Sequence, residues 1–356
     1  MDYPWRGRPG GPVDASISRY VSGLPARRAG RVPAGGMGGS LSPARCRAAM
    51  IIMTRAMKVR FAKFHGLGND FLVVGGRGTP WRAGLPASLG PFARAITERH
   101  TGIGADGLVM IMPPRRRSND ARARFFNADG GEAEMSGNGI RCAAAALLGE
   151  RGLRAQSGSK PVVRIETVVG VKTLRRIAQA GRGWVFEVGM GAPILDPAKI
   201  PFRAEGSSTP VVGFPLGTDR GLIPVTVTSM GNPHCTVLVA DFKSIDWPRL
   251  GREIERNPLF PHRTNVEFVK VVSKSEIEAR FWERGVGETL SSGTGSCGAV
   301  VACILNGLVR RKVRVRTLAG NLDVHWPERG EVTLIGPVEK IAEGIYSPVL
   351  SEANAG

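Results

Sequence analysis

Two short segments with the same order of residue types constrain the fold of this 356-residue chain more than any other feature. Ser136-Gly137-Asn138-Gly139 opens an Ala-rich apolar run, and Ser292-Gly293-Thr294-Gly295 opens a second apolar run, 156 positions further on (136 to 292). Both runs have the composition of helices, and neither reaches the roughly 20 residues that a membrane span needs. The repeat predicts two equal halves related by duplication, each with a glycine loop at the N-terminus of a helix.

The rest of the patterned sequence is typical of strands, because short apolar and alternating runs are separated by Gly, Asn and Asp. Strands are predicted at 59–74 (two runs around a Gly-Leu-Gly-Asn-Asp loop), 107–113, 121–130, 161–170, 172–179, 184–190, 224–240 (two runs around a polar turn), 264–272, 276–285, 313–326 (a hairpin) and 331–336, with one further helix at 89–102. The fold class is therefore α/β, in the broad sense that includes α+β.

Composition excludes several classes of function. Hydrophobic residues make up 42% of the chain, which is enough for a sizeable core, while aromatic residues at 6% argue against a stacking surface for single-stranded nucleic acid. Five cysteines are an odd number in a long chain and indicate no disulfide framework, so a reducing, cytoplasmic setting is expected.

Residues 1–56 differ from the remainder of the chain. They hold nine Arg and no Lys against two acidic residues, together with nine Gly and six Pro. This composition predicts a disordered basic extension, because so few apolar residues cannot form a core. The alternatives are a transit peptide, an RNA-binding arm, or a start codon assigned too early, with Met57 as the true start; the last is preferred.

The helix N-termini predict an anion site, since their free N–H groups and the helix dipole favour negative charge. Five loop asparagines could add uncharged donors and acceptors: Asn69, Asn127, Asn138, Asn232 and Asn265. Glu283-Arg284 adds a carboxylate and a guanidinium, which suit an ammonium and a carboxylate. Together they predict a small zwitterionic ligand such as an amino acid.

Several segments resemble the diagnostic motifs of the diaminopimelate epimerase family in order and spacing. They are HGLGNDF (65–71), HTGIGADG (100–107), FFNADGGEAEMSGNGIRC (125–142), MGNPHC (230–235), TNVEF (264–268) and ERGVGETLSSGTGSC (283–297). The resemblance runs from about Met57 to the C-terminus. It implies two pseudo-symmetric domains, each a barrel-like, mainly antiparallel sheet around a central helix, at 57–193 (with 337–350 returning to it) and 194–336.

The resemblance also implies a function and an assembly. Members of the family interconvert LL- and meso-diaminopimelate for lysine and peptidoglycan synthesis, need no cofactor and usually form homodimers. By matching motifs, the substrate-binding residues are Asn69, Asn127, Gly137, Asn138, Asn232, Asn265, Glu283, Arg284, Gly293 and Thr294. His234 and Glu283 resemble the polar partners of the acid and the base. No metal is implied, since His234-Cys235 lacks the ligand count of a zinc site.

The chain departs from the family at the two catalytic positions. The family uses one cysteine on each face of the α-carbon, and Ser136 and Ser292 stand in those places here. A helix N-terminus can lower the pKa of a cysteine to about 3.5–7.5, whereas a serine hydroxyl ordinarily needs an adjacent base. Cys142 and Cys297 lie further along each helix and are expected to pack as small hydrophobic residues. Each lost base should cost roughly 10²–10⁴-fold in rate, so impaired epimerase activity is expected.

The residues leave several explanations of the serines open. They could have been introduced to trap substrate, or belong to a natural relative of low activity, or support different chemistry, such as one-sided proton abstraction or dehydration with Glu283 or His234 as base. A non-catalytic amino-acid-binding paralogue would keep the asparagines and Arg284 without the bases. An RNA-binding protein is supported only by the basic tail and the net charge of +19, with no RNA-binding motif.

Overall fold

The order of helices and strands repeats once along the chain. A computed structural model describes residues 58–76, 88–151, 161–203, 206 and 208–347, so the predicted extension at 1–56 lies outside the described residues. The first half contains β1 (Val59–Gly66), β2 (Asn69–Gly75), α1 (Leu89–Thr97), β3 (Gly107–Met112), β4 (Ala121–Asn127), β5 (Glu132–Ala133), α2 (Gly137–Arg151), β6 (Val162–Thr167), β7 (Gly170–Ala180) and β8 (Gly183–Gly191).

The second half begins with an additional strand and then repeats the order of the first. It contains β9 (Val211–Thr218), β10 (Gly221–Ser229), β11 (Pro233–Leu238), α3 (Trp247–Glu255), β12 (Asn265–Ser273), β13 (Glu276–Glu283), β14 (Gly287–Thr289), α4 (Gly293–Leu305), β15 (Lys312–Thr317), β16 (Gly320–His325) and β17 (Val332–Tyr346). A short 3-10 helix, Phe242–Ser244, precedes α3.

Strand pairing repeats in the same way. In the first half β1 and β2 are antiparallel, β2 and β3 parallel, β3 and β4 antiparallel, β4 and β6 parallel, and β6, β7 and β8 antiparallel. The series from β10 to β17 has the same sequence of orientations. The duplication predicted from the two glycine loops is confirmed by this matching topology.

The last strand, β17, joins the two halves. It pairs antiparallel with β16 of the second half, with β8 over residues 183–191, and with β1, where Val59 lies opposite Tyr346. Because β17 fills the gap between β8 and β1, the first sheet closes into a barrel of eight strands: β1, β2, β3, β4, β6, β7, β8 and β17. Residues 337–346 of β17 pair with β8 and β1, and the return of 337–350 to the first domain stays a prediction.

Each half surrounds one buried helix. Helix α2 packs against β1, β2, β3 and β17, and α4 packs against β10, β11, β12 and β13. Residues 137–148 are buried on all sides of α2, as expected of a helix enclosed by a sheet. The alanines at 143–146 keep that helix thin enough to fit. The predicted fold class is confirmed: two pseudo-symmetric α+β domains, each with a mainly antiparallel sheet around a central helix.

Five elements were not predicted: β5, β9, the short 3-10 helix, α3 and β14. His234 and Cys235 lie within β11 and are buried, and not in the polar turn predicted within 224–240. Cys142 and Cys297 are fully buried in the core, as expected of small hydrophobic residues. From residue 58 onward, the described residues form one compact unit, and we keep the division into domains at 193 and 194 as a proposal. Among the described residues, no helix is both long and apolar enough to cross a membrane.

Candidate active site

The N-termini of α2 and α4 meet beside a cleft of about 650 Å³. The Cα atoms of Gly137 and Gly293 lie so close that a Cβ built on either glycine would be 2.9 Å from the Cα of the other. Both helix dipoles therefore direct their positive ends to one place, and free N–H groups from two helices face the same cleft. Such an arrangement suits an anion, for example the carboxylate of an amino acid.

Ser136 and Ser292 occupy equivalent positions at these two helix N-termini. The Ser136 Oγ accepts a hydrogen bond from the Gly139 N–H at 3.0 Å, and the Ser292 Oγ accepts one from the Gly295 N–H at 3.2 Å. Both serines therefore act as helix N-caps. Ser136 lines the cleft, while Ser292 is buried next to Gly293, which also lines it.

The surroundings of the two serines differ. The Ser292 hydroxyl lies near the carboxylate of Glu283, which is half-buried and lines the cleft. Burial raises the pKa of Glu283, although the Ser292 hydroxyl and the nearby His234 act in the opposite direction. Within the described part of the chain, no carboxylate is hydrogen-bonded to the Ser136 hydroxyl. The two halves therefore share backbone geometry at the cleft but differ in acid–base chemistry.

His234 is fully buried beneath the Ser292 side of the cleft. Its Nδ1 lies 2.6 Å from Glu267 Oε1, and its Nε2 lies 3.0 Å from Asn232 Oδ1. Burial raises the pKa of Glu267, while the adjacent imidazole and its hydrogen bond act to lower it. Because both ring nitrogens have partners, His234 is held in one position and can affect the cleft through Asn232.

The structure brings the predicted substrate-binding residues together. The members of that set that line the cleft are Asn69, Asn127, Asn138, Asn232, Asn265, Glu283, Arg284, Gly293 and Thr294, and Gly137 touches Gly293 immediately beside it. Asn265 links two segments of this wall, since its Nδ2 donates to the Pro233 carbonyl at 2.9 Å and its Oδ1 accepts from the Arg284 N–H at 3.0 Å. Their contacts with substrate remain predictions.

Arg284 supplies positive charge to the same cleft. Its Nη1 donates to the His262 carbonyl at 3.3 Å, and its Nη2 lies 3.6 Å from Glu134 Oε2 across the cleft. The guanidinium is half-buried, and its more exposed partner is Glu134. A carboxylate of the ligand could take the place of Glu134 beside this guanidinium.

The charged residues of the cleft that the sequence analysis missed include Asp70, Arg99 and Asp106. Asp70 and Asp106 exchange hydrogen bonds, since each carboxylate accepts from the backbone N–H of the other, at 2.8 and 3.0 Å. Burial acts to raise the pKa of Asp70, but the hydrogen bond and charge of Lys63, together with Arg99, bring it below its ordinary value. Burial raises the pKa of Asp106. Asp70 and Asp106 lie within the motifs at 65–71 and 100–107, and Arg99 directly precedes the second motif.

No group of three or more His, Cys, Asp or Glu side chains within the described ranges could hold a metal ion. The cleft offers hydroxyl, carboxylate and amide groups together with two helix N-termini.

Comparison with known proteins agrees with this geometry. The chain matches the family model for diaminopimelate epimerase over residues 61–193 and 226–341. It is 41% identical over 296 residues to the diaminopimelate epimerase of Desulfovibrio desulfuricans, covering 82% of this chain and 99% of that protein. It is 43% identical over 289 residues to the diaminopimelate epimerase of Pelotomaculum thermopropionicum, covering 81% of this chain and 99% of that protein.

A solved structure supports the fold. The crystal structure of a hydroxyproline epimerase from Agrobacterium vitis, with bound trans-4-hydroxy-L-proline, superposes with a TM-score of 0.59 at 16% identity, over 84% of this chain and 98% of that one. The fold and the paired helix N-termini define an amino-acid epimerase. Within that class, the family model and the relatives above 40% identity show that the chain belongs to the diaminopimelate epimerase family.

Proposed function

We propose that this chain interconverts LL- and meso-2,6-diaminopimelate by cofactor-independent proton transfer, at a rate reduced by serine at both base positions. One observation carries the proposal: Ser136 and Ser292 cap two helices whose N-termini touch at Gly137 and Gly293 beside one cleft. An α-carbon held there would have one hydroxyl on each face. The relatives that carry the name diaminopimelate epimerase support the choice of substrate.

The proton transfer can be written with the groups of the cleft. On one face, the Ser292 oxygen takes the α-proton while its own proton passes to the Glu283 carboxylate. The electron pair of the broken C–H bond moves into the substrate carboxylate, where N–H groups of both helix N-termini stabilise the added charge. On the other face, the Ser136 hydroxyl gives a proton to the α-carbon, and the configuration is inverted. Water then returns a proton to the Ser136 oxygen and takes the proton of the Glu283 carboxyl group, which restores the starting state. In the opposite direction Ser136 accepts the α-proton and Ser292 supplies the new one.

The remaining residues of the cleft bind the two ends of the substrate. We assign the reacting carboxylate to the helix N-termini at Gly137 and Gly293, and the reacting ammonium to Glu283. Arg284 would pair with the distal carboxylate. The asparagines at 69, 127, 232 and 265 supply neutral hydrogen bonds that orient the chain between the two centres. His234 supports this face through Asn232.

The proposed setting follows from the substrate. Meso-diaminopimelate serves lysine and peptidoglycan precursor synthesis, so we place the enzyme in the cytoplasm. A homodimer is proposed from the family resemblance. No nucleic-acid or membrane partner is required by the proposed reaction.

A second candidate function is a non-catalytic amino-acid-binding paralogue, and a third is one-sided proton abstraction. Both are favoured by the same observation, since Glu283 lies near the Ser292 hydroxyl, whereas no described carboxylate is hydrogen-bonded to the Ser136 hydroxyl. A serine without a base is a weak acid–base group, so the Ser136 face could fail while the binding cleft still functions.

The decisive experiment is proton exchange in D₂O, followed by NMR, with LL- and meso-diaminopimelate at high protein concentration. Deuterium at the α-carbon together with conversion of one isomer into the other is the expected result. Exchange without conversion would leave one competent face and support one-sided chemistry. Ligand-induced shifts without either reaction would contradict the epimerase proposal and favour the binding paralogue.

A further inference from the structure

Arg141 is a fully buried arginine in the first turns of α2, with 0% of its surface exposed. Its three nitrogens donate to three acceptors: Nη2 to Asn138 Oδ1 at 2.7 Å, Nη1 to the Gly137 carbonyl at 2.8 Å, and Nε to the Pro337 carbonyl at 3.3 Å. No described carboxylate forms an ion pair with it. Burial lowers its pKa to about 10, so the guanidinium is still charged at neutral pH.

This guanidinium fixes the orientation of the Asn138 side chain. Arginine can only donate hydrogen bonds, so the Asn138 atom that faces it must be the oxygen Oδ1. The Asn138 Nδ2 must then point the other way, and it donates to Asn69 Oδ1 at 3.1 Å. The Asn69 Nδ2 in turn donates to the Asp106 carboxylate at 3.1 Å. This chain of hydrogen bonds begins at a charged donor, Arg141, and ends at a carboxylate acceptor, Asp106. Neither side-chain amide can therefore rotate to exchange its oxygen and nitrogen.

Asn138 also joins the two halves of the molecule. Its Nδ2 lies 3.5 Å from the carbonyl of Ser291, the residue directly before Ser292 and 153 positions away in the chain. Only 3% of Asn138 is exposed, so its side chain is occupied by protein partners, and the predicted contact with substrate is left to its backbone. The amide therefore ties the α2 N-terminus to the segment that carries the serine of the other helix.

The Gly137 carbonyl gives Arg141 a second effect on the same place. The Gly137 carbonyl and the Asn138 N–H belong to the same peptide group, which lies at the N-terminus of α2. A hydrogen bond to the carbonyl of a peptide group polarises the N–H of that group. The second half has no counterpart of the arginine, because Cys297 stands at the equivalent position of α4. A single arginine, located in α2, therefore acts on the N-termini of both helices.

We propose that Arg141 is a positioning residue of the cleft, which acts through the Asn138 amide to hold the N-termini of α2 and α4, and with them Ser136 and Ser292, in register. The proposal rests on the proposed function only for the identity of the ligand. The orientation of Asn138 is a property of the protein without ligand.

A double-mutant cycle tests the route of action. Arg141→Lys keeps the charge but removes the planar set of donors, and Asn138→Ala removes the amide. We expect Arg141→Lys to weaken binding of meso-diaminopimelate by about tenfold or more in the unmodified chain, because a small displacement of binding groups has large effects. In the Asn138→Ala background the same change should cost less than about twofold, since coupled residues are not additive. Equal losses in both backgrounds would overturn the proposal and leave Arg141 a purely structural role.

A matched control is Arg280→Lys. Arg280 is a partly buried arginine of β13, where it pairs with Glu278 at 2.8 Å and covers the ring of Phe242, but it does not line the cleft. Its replacement should leave binding unchanged.

If Arg141→Lys does not fold, Asn138→Asp is used in place of Arg141→Lys, because a carboxylate still accepts from Arg141 but donates to neither Asn69 nor Ser291. Binding by Asn138→Asp as tight as that of the unmodified chain would also overturn the proposal.

A measurement without ligand separates this proposal from the proposed function. The side-chain amide protons of Asn138, assigned by NMR, should exchange with D₂O slowly in the unmodified chain and about tenfold faster or more in Arg141→Lys, while core backbone amides of α2 keep their rates. Unchanged exchange in a folded Arg141→Lys protein would refute the positioning role. A chain that binds no diaminopimelate but shows this change would contradict only the proposed function.

Discussion

Gly137 and Gly293 touch each other at the N-termini of the two central helices, and each occupies the space in which a side chain of the other would lie. A Cβ on either residue would be 2.9 Å from the opposite Cα, a distance that real Cβ atoms essentially never show. The contact explains why both helices open with glycine after the serine, since only glycine allows two helix backbones to approach so closely.

The first prediction is that an alanine at either glycine separates the helix N-termini. Gly137→Ala and Gly293→Ala should each lower the free energy of unfolding by about 1–3 kcal/mol, as overpacking does, and weaken binding of diaminopimelate by about tenfold or more. Thermal unfolding and calorimetric titration measure the two effects.

The control for this pair lies in the same helix. Gly149 is exposed near the end of α2, and a Cβ built there has no atom within 4 Å. Gly149→Ala should therefore leave binding unchanged and stabilise the helix by up to about 1 kcal/mol. A Gly137→Ala variant that behaves like Gly149→Ala would show that the helix contact is not needed.

The second prediction concerns the two serines. Ser136→Cys together with Ser292→Cys should raise the rate of isomer conversion by at least about 10²-fold, because a thiol at a helix N-terminus is ionised near neutral pH and a serine hydroxyl is not. Each single substitution should give a smaller gain, since inversion needs a group on both faces. Conversion is followed by ¹H NMR of the two isomers.

Ser296→Cys is the matched control, because it places a new thiol one turn deeper in α4, where the Ser296 Oγ now donates to the Ser292 carbonyl at 2.6 Å. It should not increase the rate. An unchanged rate in the double cysteine variant, with substrate still bound, would show that the cleft lacks more than its two bases.

The duplication and most of the strands could be predicted from the sequence, because both depend on local patterns: glycine loops, apolar runs and alternating residues. Many residues of the cleft could also be predicted from the sequence, since nine of the predicted substrate-binding residues line the cleft. The sequence could not show that β17 closes the first barrel by pairing with β1, because register between strands nearly 300 residues apart depends on tertiary packing. Nor could it show that Asn138 faces Arg141 and Asn69, because a hydrogen-bond direction follows from geometry and not from residue type.

The third prediction concerns acid stability at a site away from the cleft. Glu166 is 8% exposed and accepts hydrogen bonds from Asn119 Nδ2 and from the backbone N–H groups of Arg115 and Arg116, at 2.8–2.9 Å. The bond from Asn119 and those backbone bonds lower the pKa of Glu166 from 4.5 to about 2, against the effect of burial. The stability it contributes is therefore fully present above pH 4.5 and is lost as the pH falls toward 2.

Glu166→Gln should lower Tm at pH 7, because the amide cannot accept all three bonds, and the difference from the unmodified chain should shrink as the pH approaches 2. Circular dichroism melts across this range measure it. Glu187→Gln, on the exposed side of β8 where the carboxylate pairs with Arg175, is the control and should change Tm little at any pH. A Tm difference for Glu166→Gln that stays constant with pH would contradict the assigned cause.

The last prediction concerns the pH dependence of proton exchange on the Ser292 face. Burial raises the pKa of Glu283 above its ordinary value of 4.5, and only the ionised carboxylate can take the proton of Ser292. The rate of α-proton exchange should therefore be low in acid and rise as the pH passes through this raised pKa. Glu283→Gln should remove the rise and lower the plateau by roughly 10²–10⁴-fold, the usual contribution of a positioned base. Exchange measured by NMR in D₂O buffers of stepped pH gives the profile.

Glu278→Gln, on the same strand but outside the cleft, should retain it. If the Glu283→Gln variant shows the same rise, the titrating group is not Glu283. The next variant to measure would then be Asn232→Ala, which removes the partner of His234 in the cleft wall.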